Sequence, residues 1–339
     1  MAAGRRNSGT AGDFLIMDEA LKINCRKCHA KLDLSDFTPF DQVPCPECGA
    51  MLRVPMRFER YLLEKICGKG GNSVVYRALE PDLARRVAIK VEENDGSSDT
   101  TEEQSETALN FINAARISGK INHPGVLPIY NCGTFEGRVF LVMRYMEHGD
   151  LERMMRQELL PGPGKILSWI NSLIPVLIEC RNNNIVHHDI KPANIMLTAE
   201  DEAKLGDWDI ADCREKGDFS TPCSMWASPI YTSPERIFSG GEDYRGDIFS
   251  LGVTIYELLS GVAPFGLHGD TEMIYERRKN MHFQSLSALV PQTPPVLSVL
   301  VASMLDFFPE NRPDYEEISS ILDSVITGSQ MFDTSTAEK

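Results

Sequence analysis

The sequence has no apolar run long enough to span a membrane. Residues 295–305 form one of its longest apolar stretches. They fall well short of the roughly 18 residues that a spanning helix needs, and they fit a buried helix instead. Near the N-terminus, Arg5 and Arg6 are followed by neither a long apolar segment nor a small-residue cleavage pattern. We therefore expect no secretory signal and no membrane span.

An excess of basic residues is also missing. The 339 residues include 34 Lys and Arg against 49 Asp and Glu, which gives a net charge of -15 at pH 7. Because nucleic-acid-binding domains carry clustered positive charge, nucleic acid is not an expected partner. The 42% of hydrophobic residues are enough to bury a full core. The length allows about two domains of roughly 150 residues each.

The cysteines do not form the regular set of a disulfide framework. Their number, nine, is odd. Four are grouped in pairs near the start, and the other five are scattered at Cys67, Cys132, Cys180, Cys213 and Cys223. This usage favours a reducing compartment. We therefore expect a cytoplasmic protein.

The four grouped cysteines form two Cys-x-x-Cys pairs. Cys25 and Cys28 are separated from Cys45 and Cys48 by sixteen residues, which matches a tetrahedral zinc site with four thiolates. Two disulfides or a redox pair are the alternatives. Residues 19–54 resemble a small zinc ribbon, and so short a segment has too little apolar mass to fold without metal. Its nearly balanced charge favours a structural role or a protein partner over DNA binding.

A polar loop between two apolar runs carries three residues suited to one reaction. Asp189, Lys191 and Asn194 lie between residues 185–186 and 195–197, which predict strands at both ends of the loop. A carboxylate that orients a hydroxyl, a cation for a moving phosphate and an amide oxygen for a metal suit phosphoryl transfer. A solvated loop with a proline turn is the alternative.

Upstream of this loop the sequence predicts a glycine-tipped hairpin and a third strand. Strands are predicted over 61–67, 74–78 and 86–91. Gly68 and Gly70 at the hairpin tip would let backbone amides approach phosphates. Strand alternation places Ala88 and Lys90 on one face of the third strand.

The rest of the chain changes from mixed to helical structure. A helix is predicted from Thr100 or Thr101 to about Ser118. Strands are predicted over 126–132 and 139–145, and mostly helices from Asp150 onwards. No internal repeat is present.

Taken together, these segments resemble the eukaryotic-type protein kinase catalytic domain over about residues 60–326. The arrangement with a preceding ribbon is similar to some bacterial Ser/Thr kinases. The resemblance implies an α+β, bilobal fold, with a β-rich N-lobe at 60–146 that has one main helix and a helical C-lobe at 147–326. Residues 1–18 and 327–339 are expected to be a disordered N-terminus and a disordered tail.

The resemblance also implies a set of nucleotide-binding residues. Lys90 would hold the α and β phosphates of ATP, and Met143 would be the gatekeeper beside the base. Residues 144–146 would form the hinge that binds adenine through its backbone. The implied ATP-binding residues are Gly68, Gly70, Val75, Ala88, Lys90, Met143, Tyr145, Met146 and Asp207.

Catalytic and structural roles follow from the same resemblance. Asp189 would accept or orient the substrate hydroxyl proton, with Lys191 and Lys90 as the catalytic cations. Asn194 and Asp207 would bind Mg²⁺, or Mn²⁺ in its place. Glu235 would pair with Arg312, and Asp247 would anchor the backbone of the catalytic loop.

Lys191 and Ser228 indicate the substrate class. A Lys two residues after the catalytic Asp is similar to Ser/Thr kinases, and Ser228 stands where such kinases place a hydroxyl that bonds this Asp and Lys. The expected substrates are therefore protein Ser and Thr hydroxyls.

The chain departs from the family pattern at four places. The third glycine of the loop is Ser73, and His188 replaces the Arg that would grip a phosphate on the activation loop. Trp208-Asp209 replaces Phe-Gly, and Asp209 is expected to tolerate a left-handed backbone better than most residues. The helix glutamate that pairs with Lys90 falls near Ala114.

The last departure leaves two alternatives for Lys90. A register shift would bring in Glu106, about 12 Å away along a helix, or Lys90 would depend on Asp207 and the nucleotide alone. The alternative function is a pseudokinase or scaffold that binds nucleotide with weak or no phosphotransfer. In a third hypothesis the ribbon is the functional part and recruits a partner.

Overall fold

The structure, a computed structural model, describes most of the chain. The described residues are 21–70, 73–93, 101–213, 228–239, 241–266, 276–280 and 282–334, with the side chains of 101–108, 239 and 329–334 excluded. The predicted disordered N-terminus at 1–18 and residues 335–339 of the predicted tail lie outside them. The described chain forms two compact units. The first contains residues up to Phe111 together with Ile129–Tyr145, and the second contains Ile112–Pro128 and residues from Met146 onwards.

Fifteen strands are present in the described residues, and most of them belong to the first unit. They are β1 Lys22–Asn24, β2 Lys31–Asp33, β3 Gln42–Pro44, β4 Met51–Arg53, β5 Met56–Phe58, β6 Tyr61–Lys69, β7 Ser73–Glu80, β8 Arg85–Glu92, β9 Ile129–Phe135, β10 Arg138–Arg144, β11 Gly149–Asp150, β12 Ile185–Val186, β13 Ile195–Leu197, β14 Ala203–Leu205 and β15 Asp212–Cys213.

The helices lie mainly in the second unit. They are α1 Thr101–Lys120, α2 Leu151–Arg156, α3 Pro163–Asn182, α4 Pro234–Ser239, α5 Tyr244–Ser260, α6 Leu286–Leu289, α7 Pro295–Met304 and α8 Tyr315–Thr334, with short 3₁₀ turns at Pro192–Asn194 and Pro309–Asn311. A β-rich first part and a helical second part are the α+β class that the sequence predicted, and this prediction is confirmed.

A six-stranded antiparallel sheet in the order β5-β6-β7-β8-β10-β9 forms the body of the first unit. Alternate residues of its strands face opposite sides. One side packs into an apolar core made of Met56, Phe58, Tyr61, Leu63, Val74, Tyr76, Ala78, Val87, Ile89, Val91, Phe140 and Val142. The other side therefore carries the intervening residues of the same strands.

Two small antiparallel hairpins, β1–β2 and β3–β4, precede this sheet. They share a core of their own that consists of Cys25, Leu32, Leu34, Val43, Cys45 and Val54. Six side chains cannot bury much apolar area, which agrees with the expectation that a metal supplies most of the folding energy of this segment. The ribbon also contacts the sheet, because Phe40 packs against the sheet core.

Helix α5 forms the centre of the second unit. Its residues from Gly246 to Leu258 are all buried. Polar residues in such a helix need internal partners, and the Ser250 hydroxyl donates to the Gly246 carbonyl while the Thr254 hydroxyl donates to the Ser250 carbonyl. Asp243 caps the N-terminus, and Gly261 ends the helix in the left-handed region with φ of 76°.

Two predicted boundaries were wrong. The strand predicted over 126–132 begins at Ile129 instead, because Leu127 donates its N–H to Leu205 and Pro128 has none to give to a ladder. Residues 327–334, predicted as disordered tail, continue helix α8 to Thr334. Helix propagation is favourable once nucleated, and no proline stops it after residue 326. Among the described helices, none is long and apolar enough to cross a bilayer.

The predicted Glu235–Arg312 ion pair is present and buried. Arg312 donates to both Glu235 oxygens at 2.7 Å, and its side chain is 0% exposed. We expect Arg312→Ala to lower the free energy of unfolding by about 3–5 kcal/mol, because it removes the buried, bidentate arginine partner of the mostly buried Glu235 carboxylate. Urea denaturation measures this. Arg156→Ala, which removes an exposed pair with Glu152, is the control and should cost about 0.5 kcal/mol or less. A loss at Arg312 no larger than this would contradict the prediction.

Candidate active site and metal centre

The loop that contains Asp189 is fixed at both ends by short strands of the second unit. Strand β12 pairs with β15, and β13 pairs with β11 on one side and β14 on the other. A 3₁₀ turn at Pro192–Asn194 lies between them. The apolar runs predicted as strands therefore hold the polar loop, as the sequence indicated.

Asp247 of helix α5 anchors this loop through its backbone. Its two carboxylate oxygens accept the N–H groups of His187 and His188, each at 2.8 Å. Burial raises the pKa of Asp247 to about 7, although the charge of His188 and the two N–H bonds favour the ionised form. The anchoring contact is the one predicted from the sequence.

Three predicted catalytic residues meet within hydrogen-bond distance. The Lys191 ammonium donates to Asp189 Oδ2 at 2.6 Å and to the Ser228 hydroxyl at 2.8 Å. Asn194 Nδ2 donates to the Asp189 carbonyl at 2.7 Å and to Asp189 Oδ2 at 2.9 Å. The other oxygen, Asp189 Oδ1, is buried and has no hydrogen-bond partner within the described part of the chain.

His187 contacts the backbone of Asp189 and helps to orient it. Burial lowers the pKa of His187 to about 4, so the ring is neutral at pH 7. Its Nε2 lies 3.1 Å from the Gly206 carbonyl, and its Nδ1 lies 3.3 Å from the Asp189 amide nitrogen. We therefore assign the proton to Nε2, which donates to the carbonyl while Nδ1 accepts from the amide.

The lowered pKa of His187 makes a pH prediction. Between pH 6.5 and 4 the unfolded chain takes up a proton at this residue and the folded chain does not, so stability falls as the pH falls. Relative to His187→Gln, whose side chain does not titrate, the wild type should lose about 3 kcal/mol of its free energy of unfolding between pH 6.5 and 4. Because the pKa of Asp247 is raised, its contribution to stability changes with pH in the opposite direction. Both proteins contain Asp247, so this contribution cancels in the comparison. Urea denaturation at several pH values tests this, and a constant difference would refute it.

The backbone of Gly206 connects Asp207 to Asn194. The Gly206 amide donates to the Asn194 carbonyl at 3.0 Å. A β-carbon at Gly206 would lie 2.8 Å from Leu127 Cδ2, so a larger residue there would force the buried Leu127 side chain to shift. Asn194 uses its amide nitrogen on Asp189, which leaves the amide oxygen for a ligand. An amide oxygen and a carboxylate are the hard donors that Mg²⁺ and Mn²⁺ prefer.

Two residues beside the site have strained backbones. His188 and Asp207 have φ of 68° and 63°, in the left-handed region, which costs about 1–2 kcal/mol for a residue other than glycine. Asp209, which was predicted to tolerate such a backbone better than most residues, does not adopt a positive φ. A β-carbon is therefore accommodated there without strain. Trp208 is buried, and its ring lies 4.5 Å from the His187 ring.

His188, which replaces an expected arginine, contacts two carboxylates. Its Nδ1 lies 2.6 Å from Glu242 Oε1, and its Nε2 lies 3.2 Å from Asp212 Oδ1. Arg236 adds a contact to Glu242 at 3.2 Å and donates to the His188 carbonyl at 3.0 Å. Burial alone would raise the pKa of Glu242, but the hydrogen bond and charge of His188 hold it below its usual value. These carboxylate partners were not predicted from the sequence, because both are distant from His188 along the chain.

The strand register in the first unit brings most of the predicted nucleotide residues to one face of the sheet. Lys90 lies opposite Val75, and Val75 lies opposite Gly68. Ala88, two residues from Lys90, lies opposite Met143. None of these five belongs to the apolar core on the other face. Gly70 turns the hairpin, and its N–H donates to the Ser73 carbonyl at 2.8 Å.

The predicted hinge, residues 144–146, is divided between the two units. Tyr145 ends the first unit, where the Arg77 guanidinium lies 5.9 Å from its ring centroid. Met146 begins the second unit, where it is buried and its carbonyl accepts the Gly149 N–H at 3.2 Å.

Lys90 contacts an aromatic ring in the first unit. Its ammonium lies 5.5 Å from the Phe111 ring centroid, and Phe111 is buried in helix α1. Ala114, where a carboxylate was expected, is also buried. The side chain of Glu106 lies outside the described residues, so that alternative remains a prediction.

The four ribbon cysteines converge on one point. Their sulfur atoms all lie within 4.8 Å of one another. The Cys25–Cys48 and Cys28–Cys45 sulfur pairs are 3.7 Å apart, which is too long for a disulfide. Tetrahedral zinc with Zn–S bonds of about 2.3 Å would place its sulfurs about 3.8 Å apart. The geometry fits a metal ion and excludes the alternative of two disulfides.

The two cysteine turns have the same backbone geometry. His29 donates its N–H to the Cys25 carbonyl at 2.8 Å, and Gly49 does the same to Cys45 at 2.9 Å. Both are left-handed, with φ of 61° and 68°. His29 therefore occupies the turn position that glycine fills in the other pair. Hydrogen bonds from the Cys28 and Lys27 amides lower the pKa of the Cys25 thiol, which favours its thiolate form. The Ala30 amide also favours the Cys28 thiolate, but burial and the neighbouring cysteine sulfurs raise the pKa of Cys28.

Comparison with known proteins finds a family match. The family profile described as "Protein kinase domain" matches residues 61–321. Serine/threonine-protein kinase PknL of Mycobacterium tuberculosis is 30% identical over 254 residues, which are 75% of this chain and 62% of PknL. A Clostridium acetobutylicum protein named "Probable serine/threonine-protein kinase" is 29% identical over 270 residues, which are 78% of this chain and 39% of that protein. The chain thus spans less than two thirds of either relative.

Proposed function

Because the chain belongs to the protein kinase domain family, we propose that it is an ATP-dependent serine/threonine kinase. In this proposal it transfers the γ-phosphate of ATP to Ser and Thr hydroxyls of protein substrates. The observation that carries the proposal is the position of Lys191, whose ammonium bonds both Asp189 and Ser228. The names of the relatives support the same substrate class.

Asp189 accepts the proton of the substrate hydroxyl in this mechanism. A buried carboxylate oxygen without a partner costs stability, and such groups are retained where chemistry uses them. Asp189 Oδ1 is such an oxygen within the described residues. Lys191 neutralises charge near the transferred phosphate, and Asn194 keeps Asp189 oriented through its two hydrogen bonds. Positioning of this kind supplies most of the catalysis in phosphoryl transfer.

The nucleotide and its metal are assigned to the remaining predicted residues. Asn194 and Asp207 would hold Mg²⁺ or Mn²⁺, which supplies positive charge to the phosphate oxygens when bound. Lys90 would bind the α and β phosphates. Its position opposite Val75, on the same sheet face as Gly68 and Met143, supports this assignment.

The ribbon is proposed as a structural zinc site. The sulfur spacing of Cys25, Cys28, Cys45 and Cys48 supports it. Buried Cys180 and half-buried Cys132 carry free thiols, which is consistent with a reducing compartment, and we propose a cytoplasmic location on that basis.

Transfer of labelled γ-phosphate to a generic Ser/Thr protein substrate tests the proposal. The assay is run with Mg²⁺ and with Mn²⁺, and phosphoamino-acid analysis of the product distinguishes Ser and Thr from Tyr. Nucleotide binding without transfer under both metals would instead support the pseudokinase alternative.

Activity is expected to be independent of phosphorylation on the activation loop. His188 is already bound by Glu242 and Asp212 of the same chain, so no phosphate is needed to hold it. The triple variant Ser220→Ala, Thr221→Ala, Ser224→Ala, whose residues lie outside the described part, should therefore keep wild-type kcat/KM within about threefold. Loss of turnover in this variant, with nucleotide binding unchanged, would show that a phosphate is required.

A further inference from the structure

The ribbon makes two contacts with the sheet that carries the proposed nucleotide residues. The Phe40 ring stacks on Tyr76, with centroids 6.1 Å apart, on the core side of the sheet. Arg26, which stands between two of the grouped cysteines, forms an ion pair with Glu64 of strand β6. The second contact brings the charge of the ribbon to the strand that leads into Gly68 and Gly70.

Glu64 is not an ordinary surface carboxylate. Its side chain is 12% exposed, and it contacts arginines from two further strands. Arg77 Nε of β7 lies 2.8 Å from Glu64 Oε2, and Arg86 Nε of β8 lies 3.6 Å from it. A mostly buried charge is sensitive to each of its partners, because little water is available to replace one that is lost.

Arg77 continues this set of contacts to the end of the first unit. Its guanidinium lies over the Tyr145 ring, 5.9 Å from the centroid, within the range of a cation–π interaction. The Arg77 guanidinium therefore interacts with both the Glu64 carboxylate and the Tyr145 ring. If Arg26 is removed, Glu64 interacts more strongly with its remaining arginines, which changes how Arg77 holds Tyr145.

We propose that the ribbon sets the affinity of the protein for nucleotide, with Arg26 as a positioning residue that acts through Glu64 and Arg77 on Tyr145. This inference rests on the proposed function and on the prediction, from the family resemblance, that Tyr145 belongs to the adenine-binding hinge. The ribbon is then an internal regulator of the adjacent domain, and conditions that remove its metal also weaken nucleotide binding.

The first test measures the dissociation constant for ADP by calorimetry on the full chain. Arg26→Ala should raise the dissociation constant for ADP about threefold to tenfold. Arg26→Lys should raise it less, because it keeps the positive charge. Arg53→Ala removes a charge-matched, exposed arginine from ribbon strand β4 and should change nothing. Metal content and thermal stability are recorded for each variant. Equal affinities for Arg26→Ala and Arg53→Ala would overturn the proposal.

A double-mutant cycle tests whether the effect passes through Arg77. In the Arg77→Ala background, or Arg77→Lys if the first does not fold, Arg26→Ala should have no further effect on nucleotide affinity. Additive effects of the two substitutions would overturn the proposed route.

Amide hydrogen exchange without nucleotide separates this proposal from the proposed function. Arg26→Ala should speed exchange in residues 139–145, and Arg53→Ala should not. This readout remains measurable even if the protein transfers no phosphate. Unchanged exchange in this segment would overturn the coupling by itself.

A second inference rests on a different contact, between Lys90 and Phe111. The ring face of an aromatic residue attracts an ammonium within about 6 Å, and here the distance to the centroid is 5.5 Å. We infer that Phe111 is a positioning residue that holds Lys90 for the proposed phosphate contact.

Fluorinated phenylalanines at position 111 test this without changing the shape of the side chain. Each added fluorine weakens the negative ring face, so KM for ATP should rise progressively, by about threefold to tenfold over the series. In the nucleotide-free protein, the Lys90 amine should react progressively faster with an acylating reagent, because its charged form is less favoured. This second readout does not require phosphotransfer.

The same series at Phe140 is the matched control. Phe140 is equally buried but lies in the core on the other side of the sheet, where its ring contacts Phe58. Fluorination there should leave both readouts unchanged. The assignment would be overturned if fluorination of Phe111 changed neither KM for ATP nor the acylation rate of Lys90. It would also be overturned if fluorination at Phe111 and at Phe140 had equal effects.

Discussion

Replacing Asp189 with Asn should lower kcat for phosphotransfer by about 10³-fold while leaving nucleotide affinity nearly unchanged. The substitution keeps the shape of the side chain, but an amide cannot accept the proton of a substrate hydroxyl, and general-base catalysis is worth about 10²- to 10⁴-fold. The amide also brings a second donor toward Lys191, whose ammonium is 2.6 Å from Asp189 Oδ2.

Three measurements make this prediction specific. Initial rates with a Ser/Thr substrate give kcat, calorimetry with ADP gives affinity, and thermal unfolding shows whether the fold is intact. Glu202→Gln is the control, because it makes the same chemical change at an exposed carboxylate that pairs with Lys204. An Asp189→Asn protein that is folded and still turns over at more than a tenth of the wild-type rate would remove Asp189 from the mechanism.

Loss of a single ribbon thiolate should unfold the ribbon. Cys25→Ser or Cys45→Ser removes one of four converging sulfurs, and structural zinc contributes about 10 kcal/mol or more to the folding of such segments. The small core of the ribbon cannot compensate for that loss, since two of its six members are Cys25 and Cys45 themselves. We expect bound zinc to fall from one equivalent to near zero, measured by mass spectrometry of the metal.

His29 provides the control for this experiment. Its φ of 61° matches that of Gly49 in the other turn, so His29→Gly should retain the metal, whereas a role as ligand would make it lose the metal. Cys132→Ser, which removes a thiol far along the chain, should also retain one equivalent. Full zinc occupancy in Cys25→Ser would contradict a four-thiolate site.

The proximity of three predicted site residues in the second unit could be predicted from the sequence because they are close together along the chain. Asp189, Lys191 and Asn194 lie within six positions, and the structure joins them by direct hydrogen bonds. The strands of the first unit were predictable for a similar reason, since alternation alone places Ala88 and Lys90 on one face.

The environment of His188 could not be predicted in this way. The substitution of an arginine was visible, and it indicated only a weaker grip on phosphate. Glu242, its partner at 2.6 Å, lies 54 positions away, and no spacing rule connects residues at that distance. The same limit explains the left-handed backbone, for which the sequence drew attention to Asp209 and which the structure has at Asp207.

By itself, the order of amino acids determined the family and the α+β class and supplied the predicted site residues, because each depends on short-range spacing and alternation. Only the folded chain decided which groups surround them: the two carboxylates on His188, the Phe111 ring near Lys90 and the ribbon arginine on Glu64. Arg26 and Glu64 are 38 positions apart, and whether such groups meet depends on how strands and turns pack, which local patterns do not encode.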